Sequence, residues 1–154
     1  MSVAFRRESD EEHLEPKFEI PIPPGPNLVT AKGLAQIAAR VAALEAAVAT
    51  ETEETRLAEA KRDLRYWRTR HATAELAPPP PADEVAFGSR VRFRLKGDER
   101  MIHIVGDDEA DPAEGRIAFS APLARAMMGA GPGDFADFAG TEDAIEILAI
   151  GDDA

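Results

Sequence analysis

Apolar residues recur along this chain in two distinct rhythms, and the change between them divides it. From Thr30 onward Leu34, Ile37, Val41, Leu44 and Val48 return at spacings of three and four, the seam of a helix packed as in a coiled coil. Thr30 is placed to cap that helix, which the pattern carries to about Ala49. Beyond Val48 the same register would put Glu51, Thr55 and Arg62 in the seam. A new register begins instead at Leu57 and runs through Ala60, Leu64, Trp67, His71 and Ala74. The slip predicts a turn near residues 50–52 and two antiparallel helices. The alternative is one continuous helix that dimerises in parallel, against which the broken register counts. Thr50 with Glu53 three residues on reads as a capping box for the second helix. At about 1.5 Å per residue the two arms reach about 28 to 34 Å.

Four prolines, residues 78–81, end the helical rhythm, and alternation takes over. Residues 90–95 alternate Arg with Val, Phe and Leu, Gly97-Asp98 makes a turn, and residues 101–105 pair back as a hairpin. Ile102, Ile104 and Val105 give way at Gly106 to a carboxylate-rich loop (Asp107, Asp108, Glu109, Asp111, Glu114), then to a short strand over residues 116–119. Pro122 starts a helix whose apolar face is Leu123, Ala124, Ala126, Met127 and Met128, stopped by Gly129, Gly131 and Pro132. Residues 135–138 and 144–150 supply two more strands. The expected fold class is α+β: an antiparallel helical hairpin, then a twisted antiparallel sheet carrying one short helix. The expected organisation is a disordered, acidic, proline-rich tail over residues 1–29, a hairpin over 30–77, a linker over 78–83 and a sheet domain over 84–151. Within the tail Phe18, Ile20 and Ile22 alternate, which leaves a short strand open.

Composition narrows the chemistry. The 154 residues carry a formal net charge of −11, so nonspecific coating of nucleic acid or anionic membrane is not expected. There is no cysteine, which excludes disulfides, thiolate catalysis and a Cys-based zinc site. No stretch is read as a membrane span and no secretory leader is evident, so a cytoplasmic location is expected. His13, His71 and His103 are scattered, so no metal site is assigned; His71 falls in the helical seam and reads as packed. Tyr66 and Trp67 read as hairpin packing. No Ser/His/Asp set, phosphate loop or dinucleotide fingerprint occurs.

The run IVGDDEAD at residues 104–111, followed at the right distance by IAFSAPLARAMMGAGPGD, resembles the C-terminal domain of the Gre-type transcription elongation factors, GreA and GreB. RDLRYWRTR at residues 62–70 resembles the second helix of GreB, and the likeness extends over about residues 27–150. The resemblance implies an FKBP-like C-terminal fold behind a helical hairpin. It implies a bacterial RNA polymerase as partner, bound at its secondary channel, and an accessory role with no intrinsic cofactor. By the same likeness Asp107, Asp108, Glu109, Ser120, Ala121, Pro122 and Leu123 dock on the channel rim, with Pro122 the principal contact and Arg125 partly structural. It implies that Arg62, Arg65 and Arg68 face the extruded RNA 3′ end, the alternative being a solvated face stabilised by Glu59 and Asp63. Glu51, Glu53 and Glu54 at the tip share Mg²⁺ with the polymerase active site.

Two departures matter. The family's Ser before the proline is Ala121 here, leaving Ser120 as the expected cap. The family's tip pattern, Gly-Asp-x-x-Glu-Asn, is replaced by Thr50-Glu51-Thr52-Glu53-Glu54, on a shorter hairpin. A monomer that binds polymerase and modulates elongation or backtracking, with weak or no transcript cleavage, is therefore the leading expectation. The alternatives are a true cleavage factor using the tip glutamates and Mg²⁺, an FKBP-like peptidyl-prolyl isomerase, or a hairpin adaptor for another partner. Aromatic residues make up only 6% of the chain, which counts against the isomerase, since that activity needs an aromatic pocket.

Overall fold

The computed structural model describes residues 19–151. The elements are β1 (Leu28–Val29), α1 (Ala31–Thr50), α2 (Glu54–Thr73), β2 (Glu75–Leu76), β3 (Arg90–Leu95), β4 (Asp98–Val105), a 3-10 turn (Pro112–Glu114), β5 (Arg116–Ala118), α3 (Pro122–Met127), β6 (Phe135–Phe138) and β7 (Thr141–Ile150). Contacts divide them into two bodies. One holds the helices from residue 35 to residue 73 together with residues 19–25; the other holds residues 26–34 and 74–151.

In the helical body, a turn of three residues, 51–53, joins two 20-residue helices. Ile37 and Leu64 are buried, and Leu34, Val41, Leu44, Val48, Leu57, Ala60 and Trp67 are partly covered, so the two registers read from the sequence are the two sides of one antiparallel seam. Arg68 reaches across to Glu45 at 3.1 Å, and the Arg40 guanidinium lies 5.1 Å from the centre of the Trp67 ring. His71 is exposed, and the neighbouring Arg70 is the buried residue of the last turn. The expected packed histidine is corrected on that point, because the helix presents the adjacent position inward there.

The helix α1 also revises the membrane reading. Its 20 residues include a window of mean hydropathy 1.2, long and apolar enough for a span by composition. Alanine supplies much of that hydropathy, and alanine holds a helix by propensity whether or not it is covered. Length and composition of this kind are therefore weak evidence for a span.

In the second body, five strands run in the order β5-β4-β3-β7-β6. Three neighbouring pairs are antiparallel, but β4 and β5 are parallel, with His103 opposite Arg116 and Val105 opposite Ala118. The sheet is thus mostly, not wholly, antiparallel. Ten residues after β4 return the chain to the start of β5, closed by the 3-10 turn and by Gly115 at φ 78°. Val91, Phe93 and Leu95 from β3, Ile102 and Ile104 from β4, and Ile145 and Ile147 from β7 form the core with Val85, Ala124 and Met127. Alternation in β3 leaves Arg90, Arg92 and Arg94 on the opposite face, where Arg94 bridges Glu146 at 2.8 Å and Glu99 at 3.3 Å.

The last residues of the expected tail are paired. Leu28 and Val29 pair in parallel with Glu75 and Leu76, and Asn27 and Val29 are buried, so residues 27–29 belong to the second body. Ile20 and Ile22 lie in no strand. Phe18 and the preceding residues of the expected tail lie outside the described residues.

Candidate functional site

The carboxylate-rich loop after β4 and the entry to α3 lie together. Ser120 Oγ donates to Asp107 Oδ1 at 2.5 Å. Ser120 therefore does not cap α3, contrary to the expectation from the sequence; the N-cap is Ala121, with no side-chain bond. Pro122 at the first helical position has no N–H to satisfy, which lowers the need for a cap. Pro122, Ser120 and Arg125 are exposed, and Ala121, Leu123, Asp107 and Asp108 are partly covered.

Glu109 sits differently, with only 7% of its surface exposed. Thr30 Oγ1 donates to Glu109 Oε1, while the Gly33 N–H donates to Thr30 Oγ1 at 2.9 Å. The threonine hydroxyl is thus both cap of α1 and donor to a buried carboxylate, which lies at a helix N-terminus where negative charge is favoured. A Cβ on Gly33 would fall 2.6 Å from Glu109 Oε1, and one on Gly106 would fall 2.5 Å from the Leu28 carbonyl oxygen. Both glycines are there because another group passes too close for a side chain. Thr30, Gly33 and Leu28 form a clasp that sequence reading missed. An unexplained glycine inside a helical pattern was its only visible signal.

At the turn between the helices, Glu51 Oε2 accepts from the N–H groups of Thr52 and Glu53 at 3.2 and 3.0 Å. Glu53 accepts from Thr55 at 3.3 Å and from Arg56 at 2.8 Å, so Glu53 itself caps α2. The expected Thr50 capping box is replaced. Thr50 stays helical, and its hydroxyl bonds back to the Ala46 carbonyl at 3.0 Å. Two of the three tip carboxylates are therefore engaged with backbone donors. Among the described residues no group of three or more His, Asp or Glu is arranged to hold a metal ion.

Arg62, Arg65 and Arg68 of α2 each meet a carboxylate. Arg62 lies 3.0 Å from Asp63, Arg65 grips Glu19 through two bonds of 2.8 and 2.7 Å, and Arg68 meets Glu45. Arg65 holds the Glu19 carboxyl below its usual value chiefly by direct hydrogen bonding, which outweighs an opposing desolvation, with lesser help from the charges of Arg65 and Arg62.

The second body also holds a groove of about 670 Å³ between the prolines at 78–80 and the row Arg90, His103 and Arg116, with Phe87 beside it. Phe87 is the one Phe, Tyr or Trp among its lining residues, so the groove lacks the aromatic walls of a proline-isomerase pocket.

Residues 80–152 match the family described as Transcription elongation factor, GreA/GreB, C-term. Transcription elongation factor GreA of Brucella anthropi is 46% identical over 54 residues, 34% of each chain. GreA of Brucella canis is 40% identical over 72 residues, 44% of this chain and 46% of that one. The chain thus spans between a third and a half of the length of these curated relatives. Among solved structures, GreA factor homolog 1 of Thermus thermophilus aligns over 82% of this chain and 99% of its own, at 14% identity and a TM-score of 0.39. GreA/GreB from Nitrosomonas europaea aligns over 82% and 98%, at 21% identity and a TM-score of 0.39.

Proposed function

From a Gre-type chain, with its GreA/GreB C-terminal domain at residues 80–152, we propose an accessory factor that binds bacterial RNA polymerase and modulates elongation while stimulating transcript cleavage weakly or not at all. It is not itself an enzyme; any RNA hydrolysis would be the polymerase's own. The exposed corner at Ser120 and Pro122, steadied by the Ser120–Asp107 bond, is the docking contact at the secondary-channel rim. Glu109, buried against Thr30, does not meet the partner. The protein acts in the cytoplasm, as a monomer.

The observation that carries the weak-cleavage reading is the engagement of Glu51 and Glu53 with backbone N–H groups of their own turn. Recruiting either carboxylate to a metal would cost the turn its bonds. Paired Arg62, Arg65 and Arg68 likewise support a reduced grip on RNA, since a phosphate must displace a carboxylate already in place.

Affinity capture with purified polymerase, followed by cleavage of the nascent transcript in stalled complexes, tests both parts. Capture without transcript shortening is expected, and Pro122→Asp should abolish capture. Robust shortening that is lost on Glu51/Glu53/Glu54→Ala would replace this reading with a true cleavage factor.

A further inference from the structure

The groove beside β4 is a second site of a different kind. Its floor is a lateral row across three strands, since Arg90 pairs with His103 and His103 with Arg116. Paired positions on neighbouring strands present their side chains to the same face. Lys32 adds a further cation at the rim, while the prolines at 78–80 and Phe87 make apolar walls. In a chain of net charge −11, three permanent cations and a histidine lining one concavity are a local inversion of sign. Glu109 and Glu114 also line it, but Glu109 is already bonded to Thr30.

Arg116 carries a buried side-chain nitrogen that its protein surroundings leave unsatisfied. One guanidinium nitrogen reaches Asp111 at 3.3 Å, and its Nε, buried, has no acceptor. A guanidinium held by one long bond has a planar donor edge to offer, and phosphate oxygens fit that edge two at a time. The volume of about 670 Å³ lies in the range of ordinary small-ligand sites.

We propose that this groove binds a nucleotide, its phosphates on Arg90, His103 and Arg116 and its base against Phe87 and the proline wall. The site is separate from the docking corner at Pro122 and does not depend on polymerase binding.

Calorimetric titration of the full chain with ATP and GTP tests it, with inorganic phosphate and ribose 5-phosphate as ligands that carry the anion without the base. Saturable binding of a nucleotide is expected, about tenfold or more tighter than either control and weakened about tenfold by Arg116→Gln. Arg90→Gln, at an exposed position, should weaken it as well, which covers the case in which Arg116→Gln fails to fold. Arg94→Gln, on the same strand but paired with Glu99 and Glu146 outside the groove, should leave affinity unchanged. No saturation at millimolar nucleotide, equal affinity for phosphate alone, or indifference to both groove variants would each overturn the assignment.

Discussion

Two glutamates in this molecule serve the start of a helix, and they do so on opposite terms. Glu53 caps α2 from the residue next to it, in the open, through the N–H groups two and three positions on. Glu109 serves α1 from 79 residues away, buried, through the hydroxyl of Thr30. The first bond is local, so water can replace it at small cost. The second is a tertiary contact in a space shaped for it by Gly33 and by the passage of Leu28 over Gly106. The same pairing of carboxylate and helix end is a turn-former in one place and part of the scaffold in the other.

The sharpest way to break that contrast is Gly106→Ala. Gly106 needs no positive φ, so the cost comes from the Leu28 carbonyl alone. Because that neighbour is backbone and cannot swing aside, about 2–3 kcal/mol should be lost, as in overpacked cores. Urea unfolding followed by circular dichroism measures it, and a loss under half a kilocalorie would remove the close approach as the reason for the glycine. Next comes Glu109→Ala, which strips the Thr30 hydroxyl of its acceptor and should cost about 1–3 kcal/mol. A coupled effect follows. In that background Gly33→Ala should gain up to about 1 kcal/mol of helix propensity, whereas in the native chain the carboxylate opposes the new methyl. A double-mutant cycle that proved additive would mean the two sites do not touch in solution.

At the exposed end the effects shrink. Glu53→Ala should cost about 1 kcal/mol, the usual worth of a helix cap, and amide exchange should quicken at Thr55 and Arg56 only. The smallest effect is the pair between Glu19 and Arg65. Its folded carboxyl is held below the ordinary value, so its contribution is present above the normal carboxylate range and fades as pH falls through the folded value. Because the pair is fully exposed, added salt should weaken it. Carbon NMR titration of Glu19 in the native chain and in Arg65→Gln reads the shift directly, and an unchanged titration in the variant would show the pair is not formed.

The resemblance at residues 104–111 acquires physical content from the same contrast. Of that acidic run, Gly106 and Glu109 shape the clasp, Asp107 fixes Ser120, and Asp111 meets Arg116. Much of the motif is therefore occupied with holding loops together.

Hydrophobic period determined the two helices, the turn between them, the buried face of β3 and the presence of the other strands of the sheet, although β4 and β7 begin three residues before it marked them. Each of those depends on which neighbours three, four or two places away are apolar, and sequence records that spacing directly. The parallel pairing of β4 with β5, the β1–β2 ladder, the burial of Glu109 and the cationic row across three strands were decided only in three dimensions. They join residues tens of positions apart, through contacts that leave no period behind and are fixed only once the sheet and the start of α1 have met.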